Sequence, residues 1–278
     1  MELFITDLDG TLLRKDKSIS DYTVNTLNKL IENGYNISVA TARSLSSAKA
    51  ILEPLNLKLP IVLNNGGFIY DPITNKNLIA NYMSTQITKD IVEKSLEKGL
   101  NPFVHLEDNS INQLFYSGLF NFGEKDYYES RMKAKDKRFR KVKNYNFENK
   151  KIITVFFIGK EKKLTDMYNY LKKNYSNLQY HLFLDVYSNY YWLEINHLNA
   201  TKKNGINFLK SHLKIDKVTC FGDNLNDISM FEVCEETYAV ENAHKKLKEI
   251  AMGIIDSNEN DGVAKFIESK VIGWKNEY

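Results

Sequence analysis

Over the first eighty positions the apolar residues recur with two alternating periods. Residues 2–6 (Glu-Leu-Phe-Ile-Thr) are a short apolar run of the kind a buried strand makes. Over residues 20–33, Val24, Leu27, Leu30 and Ile31 fall on one helical face, and Gly34 supplies a C-terminal stop. Residues 36–41 predict a second strand, residues 44–52 a second helix ended by Pro54, and Ile61-Val62-Leu63 a third strand running into Asn64-Asn65-Gly66-Gly67. Strands separated by helices of this length predict a parallel, doubly wound sheet, with ligands beyond the carboxyl ends of its strands.

The middle of the chain has a different texture. A helix near 88–99 precedes strands at 101–106 and 111–116, then a polar and basic stretch, a strand at 151–158 and a helix at 161–174. Strands at 178–186 and 190–195 follow, joined by a hairpin turn at Tyr187-Ser188-Asn189. After residue 200 the alternation returns, with helices over 201–213, 225–234, 244–251 and 261–270 and strands over 217–221 and 237–240. The predicted fold class is α/β. A doubly wound parallel-sheet (Rossmann-like) core is expected from residues 1–82 and 197–278, carrying an inserted α+β cap over 83–196.

Composition narrows the class without naming a chemistry. The 278 residues are 43% hydrophobic and 26% charged, ordinary for a globular protein with a substantial core. No apolar stretch approaches the roughly 20 residues of a membrane span, so no membrane partner is expected. Residue 1 leads straight into a strand with no secretory pattern, and Cys220 and Cys234 lack metal-ligand spacing; the expected location is the reducing cytoplasm. A net charge of +3 calls for no polyanionic partner. Arg131–Lys143 carries eight basic residues with Phe139 and one acid, Asp136, and reads as a solvated face of the cap; no nucleic-acid partner is expected.

Candidate chemistry sits where strands end. The first strand delivers two carboxylates, Asp7 and Asp9, followed at once by Gly10 and Thr11. Carboxylates near a sheet's interior lose solvation, a cost that a bound cation or a reacting electrophile offsets. The strand at 218–221 likewise runs into Gly222-Asp223-Asn224-Leu225-Asn226-Asp227. Asp7, the backbone carbonyl of Asp9 and the Asp223 carboxylate offer oxygens of the type magnesium prefers, although Asn224 and Asp227 also suit simple capping of a helix. Thr41-Ala42-Arg43 offers a hydroxyl and backbone N–H groups at a helix start, an anion site. Lys202 opens the returning helix and can serve as a point charge on a phosphoryl group; read alone, it is a surface lysine.

Taken together, Asp7-Leu8-Asp9-Gly10-Thr11, Thr41-Ala42-Arg43, Lys202 and Gly222-Asp223-Asn224-Leu225-Asn226-Asp227 resemble the haloacid dehalogenase superfamily, and within it the Cof-like phosphatases with a type-IIB cap. Asn65-Gly66, Glu241-Asn242-Ala243 and Asp261-Gly262-Val263-Ala264 fit the same pattern, while Ala42 departs from its usual glycine. The resemblance implies a magnesium-dependent phosphatase acting on small phosphate esters through an aspartyl-phosphate. Asp7 would be the nucleophile and Asp9 the acid and base. Leu8, Thr41, Ala42, Lys202 and Asn226 would hold the phosphoryl oxygens, and Asp7, Asp9, Asp223 and Asp227 the metal. Two alternatives share the motif set: a phosphomutase, and a degenerate phosphate-binding regulator. His105, Glu107, Asp108, Trp192 and Glu194 of the cap, and His197 near its edge, are the remaining polar candidates.

Overall fold

The computed structural model describes residues 1–185 and 188–276. Val186 and Tyr187, in which the predicted strand ends and its hairpin turn begins, lie outside the described residues. The chain divides into two compact units, Met1–Ala80 with Ala200–Tyr278, and Asn81–Asn199.

The first unit opens with β1 (Glu2–Thr6), α1 (Asp21–Glu32), β2 (Asn36–Val39), α2 (Leu45–Leu52) and β3 (Ile61–Leu63), all foreshadowed by the apolar periods. The hairpin of β4 (Phe68–Asp71) and β5 (Lys76–Ala80) was not foreshadowed. It pairs antiparallel with β3, and its outer strand is largely exposed, which hides the alternation a half-buried strand would show.

The second unit follows as α3 (Thr85–Glu97), β6 (Phe103–Asp108), β7 (Ile111–Tyr116), α4 (Phe122–Lys133), β8 (Phe139–Lys141), β9 (Lys151–Gly159), α5 (Glu161–Asn174), β10 (Leu178–Asp185) and β11 (Tyr190–His197). The chain then returns to the first unit with α6 (Lys202–Leu213), β12 (Lys217–Gly222), α7 (Ile228–Phe231), β13 (Glu236–Val240), α8 (Lys245–Ile250), β14 (Gly253–Ile255) and α9 (Gly262–Asn276). The helix expected over 225–234 is a 3-10 turn at Leu225–Asp227 running into the four-residue α7.

The first unit is built on a parallel sheet of order β14-β13-β12-β1-β2. A bridge from Ala40 to Val62 extends it toward β3. Leu3, Phe4 and Ile5 of β1 are at most 1% exposed, because helices cover both faces of a parallel sheet. β1 runs in register between β12 and β2, Thr6 facing Phe221 on one side and Val39 on the other. The chain leaves β1 toward β2 and returns on the opposite side as β12, so the sheet changes direction at the carboxyl end of β1, the position where such sheets hold ligands.

The second unit holds a six-stranded sheet of order β10-β11-β9-β6-β7-β8, antiparallel except for the β7–β8 pair. On one face Val104, Val155, Phe157, Leu193 and Ile195 form a core with Ile91 and Val92 of α3 and Leu164, Met167 and Leu171 of α5. On the other face Phe183, Trp192, Phe156, Phe103 and Tyr116 stack as a row across five strands, with successive centroids 6.3, 5.2, 5.1 and 6.0 Å apart. Tyr127 of α4 meets Trp192, Phe156 and Phe103 edge-on. The aromatic row supplies the apolar face that the basic sequence around α4 conceals.

The stretch expected to be a solvated face is only partly one. Lys133, Lys135, Lys137, Arg140, Lys141 and Lys143 are exposed. Arg131 instead lies over the Tyr127 ring, 5.3 Å from its centroid, and Arg138 grips Asp136 and approaches the His105 ring at 3.5 Å. Burial, reinforced by the Arg138 charge, depresses His105 to about 3. For a base held neutral in the fold, stability is intact above the unfolded pKa near 6.5 and falls as acid protonates the unfolded chain first. Moving from pH 7 to pH 5 is therefore expected to cost about 2 kcal/mol at this one residue. Urea midpoints of wild type and His105→Gln at the two pH values check this; an equal acid loss in both would exclude His105 as the cause.

No helix among the described residues is long and apolar enough to cross a membrane.

Candidate active site

Three loop ends of the first unit's sheet and the start of α6 converge on Asp7. The residue follows β1 directly, its backbone N–H donates to Phe221 O at 3.0 Å, and it is 5% exposed. The chain then turns tightly, because Leu8 O accepts from the N–H groups of Thr11, Leu12 and Leu13 at 3.2, 3.0 and 2.8 Å. Gly10 makes the turn possible with φ 78°, and a Cβ there would stand 2.4 Å from Asp223 Oδ2. This is a position where any side chain would collide with the second acid-bearing loop. Thr11 Oγ1 donates to Asp223 Oδ1 at 3.1 Å, linking the two loops.

Asp223 follows β12, and the six-residue segment from Gly222 is organised by Asp227. Asp227 Oδ2 accepts from the N–H groups of Asp223 and Asn224 at 2.9 and 3.0 Å, and the Asn224 side chain caps the following turn. Asp227 Oδ1 accepts from Lys202 Nζ at 2.6 Å, so protein donors engage both of its oxygens. Its capping role, read from sequence as the plainer alternative, is present together with a place in the acid cluster. One oxygen each of Asp7, Asp223 and Asp227 lie within 4.8 Å of one another.

Lys202 is not the surface lysine that its position taken alone suggests. It is 0% exposed and bonds Asp7 Oδ1 at 2.5 Å as well as Asp227. Thr201 caps α6 through its hydroxyl, and Gly66 lets the helix start approach: a Cβ on Gly66 would lie 2.1 Å from Thr201 O. Asn64 and Asn65 reach this turn with φ of 50° and 53°, values that asparagine tolerates better than most residues.

Thr41 is fully buried; its N–H donates to Val62 O, its carbonyl accepts from Asn65 N, and its hydroxyl accepts from Arg43 N. Asn226 reaches the same turn, donating to Asn65 Oδ1 at 3.2 Å. Ala42, the departure from glycine, is exposed and does not have a positive φ, so its methyl imposes no backbone strain. The Asp9 carboxylate lies outside the acid cluster and is held by Arg43 in a fork, Nε to Oδ2 at 2.7 Å and Nη2 to Oδ1 at 2.6 Å. Arg43 and Asn65 were quoted only as parts of motifs; pairing across 34 and 161 positions leaves no local signal that would have assigned them a task.

A model of the haloacid dehalogenase-like hydrolases matches residues 4–267, which takes in every one of these loops. The chain belongs to that family. Two Bacillus subtilis relatives, both 5-amino-6-(5-phospho-D-ribitylamino)uracil phosphatases, are 25% identical over 275 residues and 28% identical over 295. The alignments cover 96% of this chain and 96% of the first, and 98% of this chain and 99% of the second. A haloacid dehalogenase-like hydrolase from Bacteroides thetaiotaomicron shares the fold with a TM-score of 0.80 at 21% identity, covering 96% of this chain and 98% of that one. A Thermotoga maritima structure gives a TM-score of 0.79 at 22% identity, with 96% of each chain covered.

In this haloacid dehalogenase-like hydrolase the charges of the cluster do not balance. Burial, then the neighbouring Asp227 and Asp223 charges, push Asp7 well above the carboxylate range, although the Lys202 ammonium pulls the other way. Burial and Asp227 likewise raise Asp223 to about 7. For Lys202, burial opposes the ammonium, but Asp227 and Asp7 outweigh it and hold the group protonated. Among the described residues, three clustered carboxylates against one buried cation leave excess negative charge on hard oxygen donors, a set that fits a divalent cation of the calcium or magnesium type.

Glu107 accepts from Tyr82 and Lys151, Asp108 pairs with Lys150, and His197 Nδ1 accepts from Asn199 N. Trp192 belongs to the aromatic row, and Glu194, opposite His181 in register, is raised to about 7 by burial.

Proposed function

We propose that the protein is a magnesium-dependent phosphatase of small phosphorylated metabolites, with Asp7 as nucleophile. One observation carries the reading: a buried carboxylate at the carboxyl end of β1 has one oxygen fixed by a buried lysine and none of its hydrogen bonds, among the described residues, made to the other. In the first step Asp7 Oδ2 attacks phosphorus, the bond to the leaving oxygen breaks, and Asp9 gives that oxygen a proton. In the second, Asp9 takes a proton from water, the water oxygen attacks phosphorus, and the bond to Asp7 breaks. The Arg43 fork holds the Asp9 carboxylate between these duties.

Lysine has three donors and Lys202 spends two on carboxylates, which leaves one for a phosphoryl oxygen. Thr41, the amides of Leu8 and Ala42, and Asn226 supply the other donors. Asp7, Asp223 and the Asp9 carbonyl would hold the magnesium ion, with Asp227 fixing the Asp223 loop. When bound, the ion neutralises charge between the Asp7 carboxylate and the phosphoryl oxygens, which otherwise repel. The substrates are sought among sugar phosphates, nucleotides and phosphorylated cofactors. The Bacillus subtilis relatives add 5-amino-6-(5-phospho-D-ribitylamino)uracil to that set.

The test is phosphate release from such a panel with magnesium and with a chelator. Turnover is expected to fall at least about 100-fold on metal removal and to return with magnesium. Conversion of a hexose phosphate to its isomer without free phosphate would replace hydrolysis by a mutase reaction, and no turnover on any ester would leave a binding protein.

A further inference from the structure

The two acid-bearing loops leave paired strands but are not themselves paired. Ladder bonding ends at Thr6 and Phe221, with one more bond from Asp7 N; beyond it no backbone hydrogen bond joins residues 8–13 to 222–227 among the described residues. Their separation is nonetheless tight, since a Cβ on Gly10 would stand 2.4 Å from Asp223 Oδ2.

The turn after β13 bridges the gap from one side. Asn242 Nδ2 donates to Gly10 O at 2.7 Å, and two residues on, His244 N–H donates to Asp223 O at 2.7 Å. Ala243 between them donates to Val240 O, tying the turn to the end of its strand. The Asn242 amide is fixed in orientation, because its Oδ1 accepts from Asn258 N at 3.1 Å. Asn258 is 5% exposed and passes the constraint on by donating to Leu13 O at 2.7 Å. One short segment thus grips the carbonyls of both loops, each next to a proposed ligand.

We propose that Asn242 is a positioning residue: with the His244 N–H it staples the loop after Asp7 to Asp223 and sets the spacing at which their oxygens receive a divalent cation. The inference rests on the metal-dependent reading above. Magnesium demands near-ideal octahedral geometry, so a displacement of a few tenths of an ångström between loops is felt directly as lost affinity. Groups that orient ligands without touching the metal are worth about 10- to 100-fold in metal affinity.

Uptake of Mn2+ by metal-free protein, followed by the resonance of the free ion, tests the staple without needing turnover. Asn242→Ala removes both bonds; Asn242→Asp keeps an acceptor for Asn258 N–H but sets a carboxylate against the Gly10 carbonyl. Asn28→Ala is the control, because Asn28 also bridges two backbone groups of the first unit, donating to Pro54 O at 2.9 Å and accepting from Asn56 N at 2.8 Å. Both Asn242 variants are expected to bind Mn2+ about 10- to 100-fold more weakly, with Asn28→Ala binding as wild type. Wild-type affinity in the Asn242 variants, or equal weakening in Asn28→Ala, overturns the staple while leaving the metal site standing. Absence of Mn2+ uptake by the wild type removes the metal reading, and the staple with it.

Discussion

Asp7→Asn is expected to lower magnesium-dependent phosphate release by about 1,000-fold or more, the scale on which loss of a nucleophile is felt. The amide keeps the shape of the carboxylate and can still accept from Lys202, so the sheet should survive. Stability at neutral pH should even rise in the absence of metal. Asp7 is a buried acid whose ionised form is disfavoured by burial and by Asp227 and Asp223, so replacing it with a neutral isostere relieves that repulsion. The two effects together separate chemistry from folding: activity collapses while the metal-free melting temperature holds or increases. The proposed aspartyl-phosphate provides a second readout, since acid-quenched wild type should carry the phosphoryl mass increment on the peptide containing Asp7 and the variant should not. Turnover above a tenth of the wild-type rate would remove Asp7 as the nucleophile.

What the sequence makes legible follows from how each signal is encoded. β1 and β12 are apolar runs that end in acids, so both the sheet and its chemical edge can be read from local pattern. The 3-10 turn at Leu225–Asp227 is shorter than its helical periodicity suggests, because Asp227 satisfies the N–H groups of Asp223 and Asn224 and draws the chain into a tighter turn. The face of α4 is hidden for a different reason. Its partners Phe156, Phe103 and Trp192 lie on strands, and the helix meets them with Tyr127, set among charged residues. The parallel pairing of β7 with the three-residue β8 is likewise a long-range event with no sequence period. At the site, the acids are legible one by one. Their partners are not: Arg43 on Asp9, and Lys202 shared by Asp7 and Asp227, become visible only when distant loops meet.

Lys202→Met carries the largest expected change in stability. Among the described residues, the lysine is the one positive side chain bonded to the cluster, and methionine fills similar volume without charge. Removing one partner of a buried ion pair typically costs about 3–5 kcal/mol, because the remaining charges stay buried without compensation. For a chain of this size that corresponds to a fall in melting temperature on the order of 10 °C. The loss has a predictable pH dependence. An acid whose pKa is raised in the fold keeps its proton there after the unfolded chain has released it, so stability declines as pH rises from the unfolded value near 4 toward the raised folded value. Asp223, at about 7, already gives the wild type such a slope, and loss of the Lys202 charge extends the slope at Asp7 to higher pH. The deficit of Lys202→Met against wild type should therefore be smallest near pH 4 and grow as the pH rises. Melting curves of both proteins across that range, without metal, measure it; a deficit that ignores pH would assign the loss to packing instead of charge. Divalent cation should restore part of the lost stability at pH 8, since it supplies the missing positive charge. It should not restore turnover if Lys202 is the phosphoryl donor proposed above, because that donor is then gone.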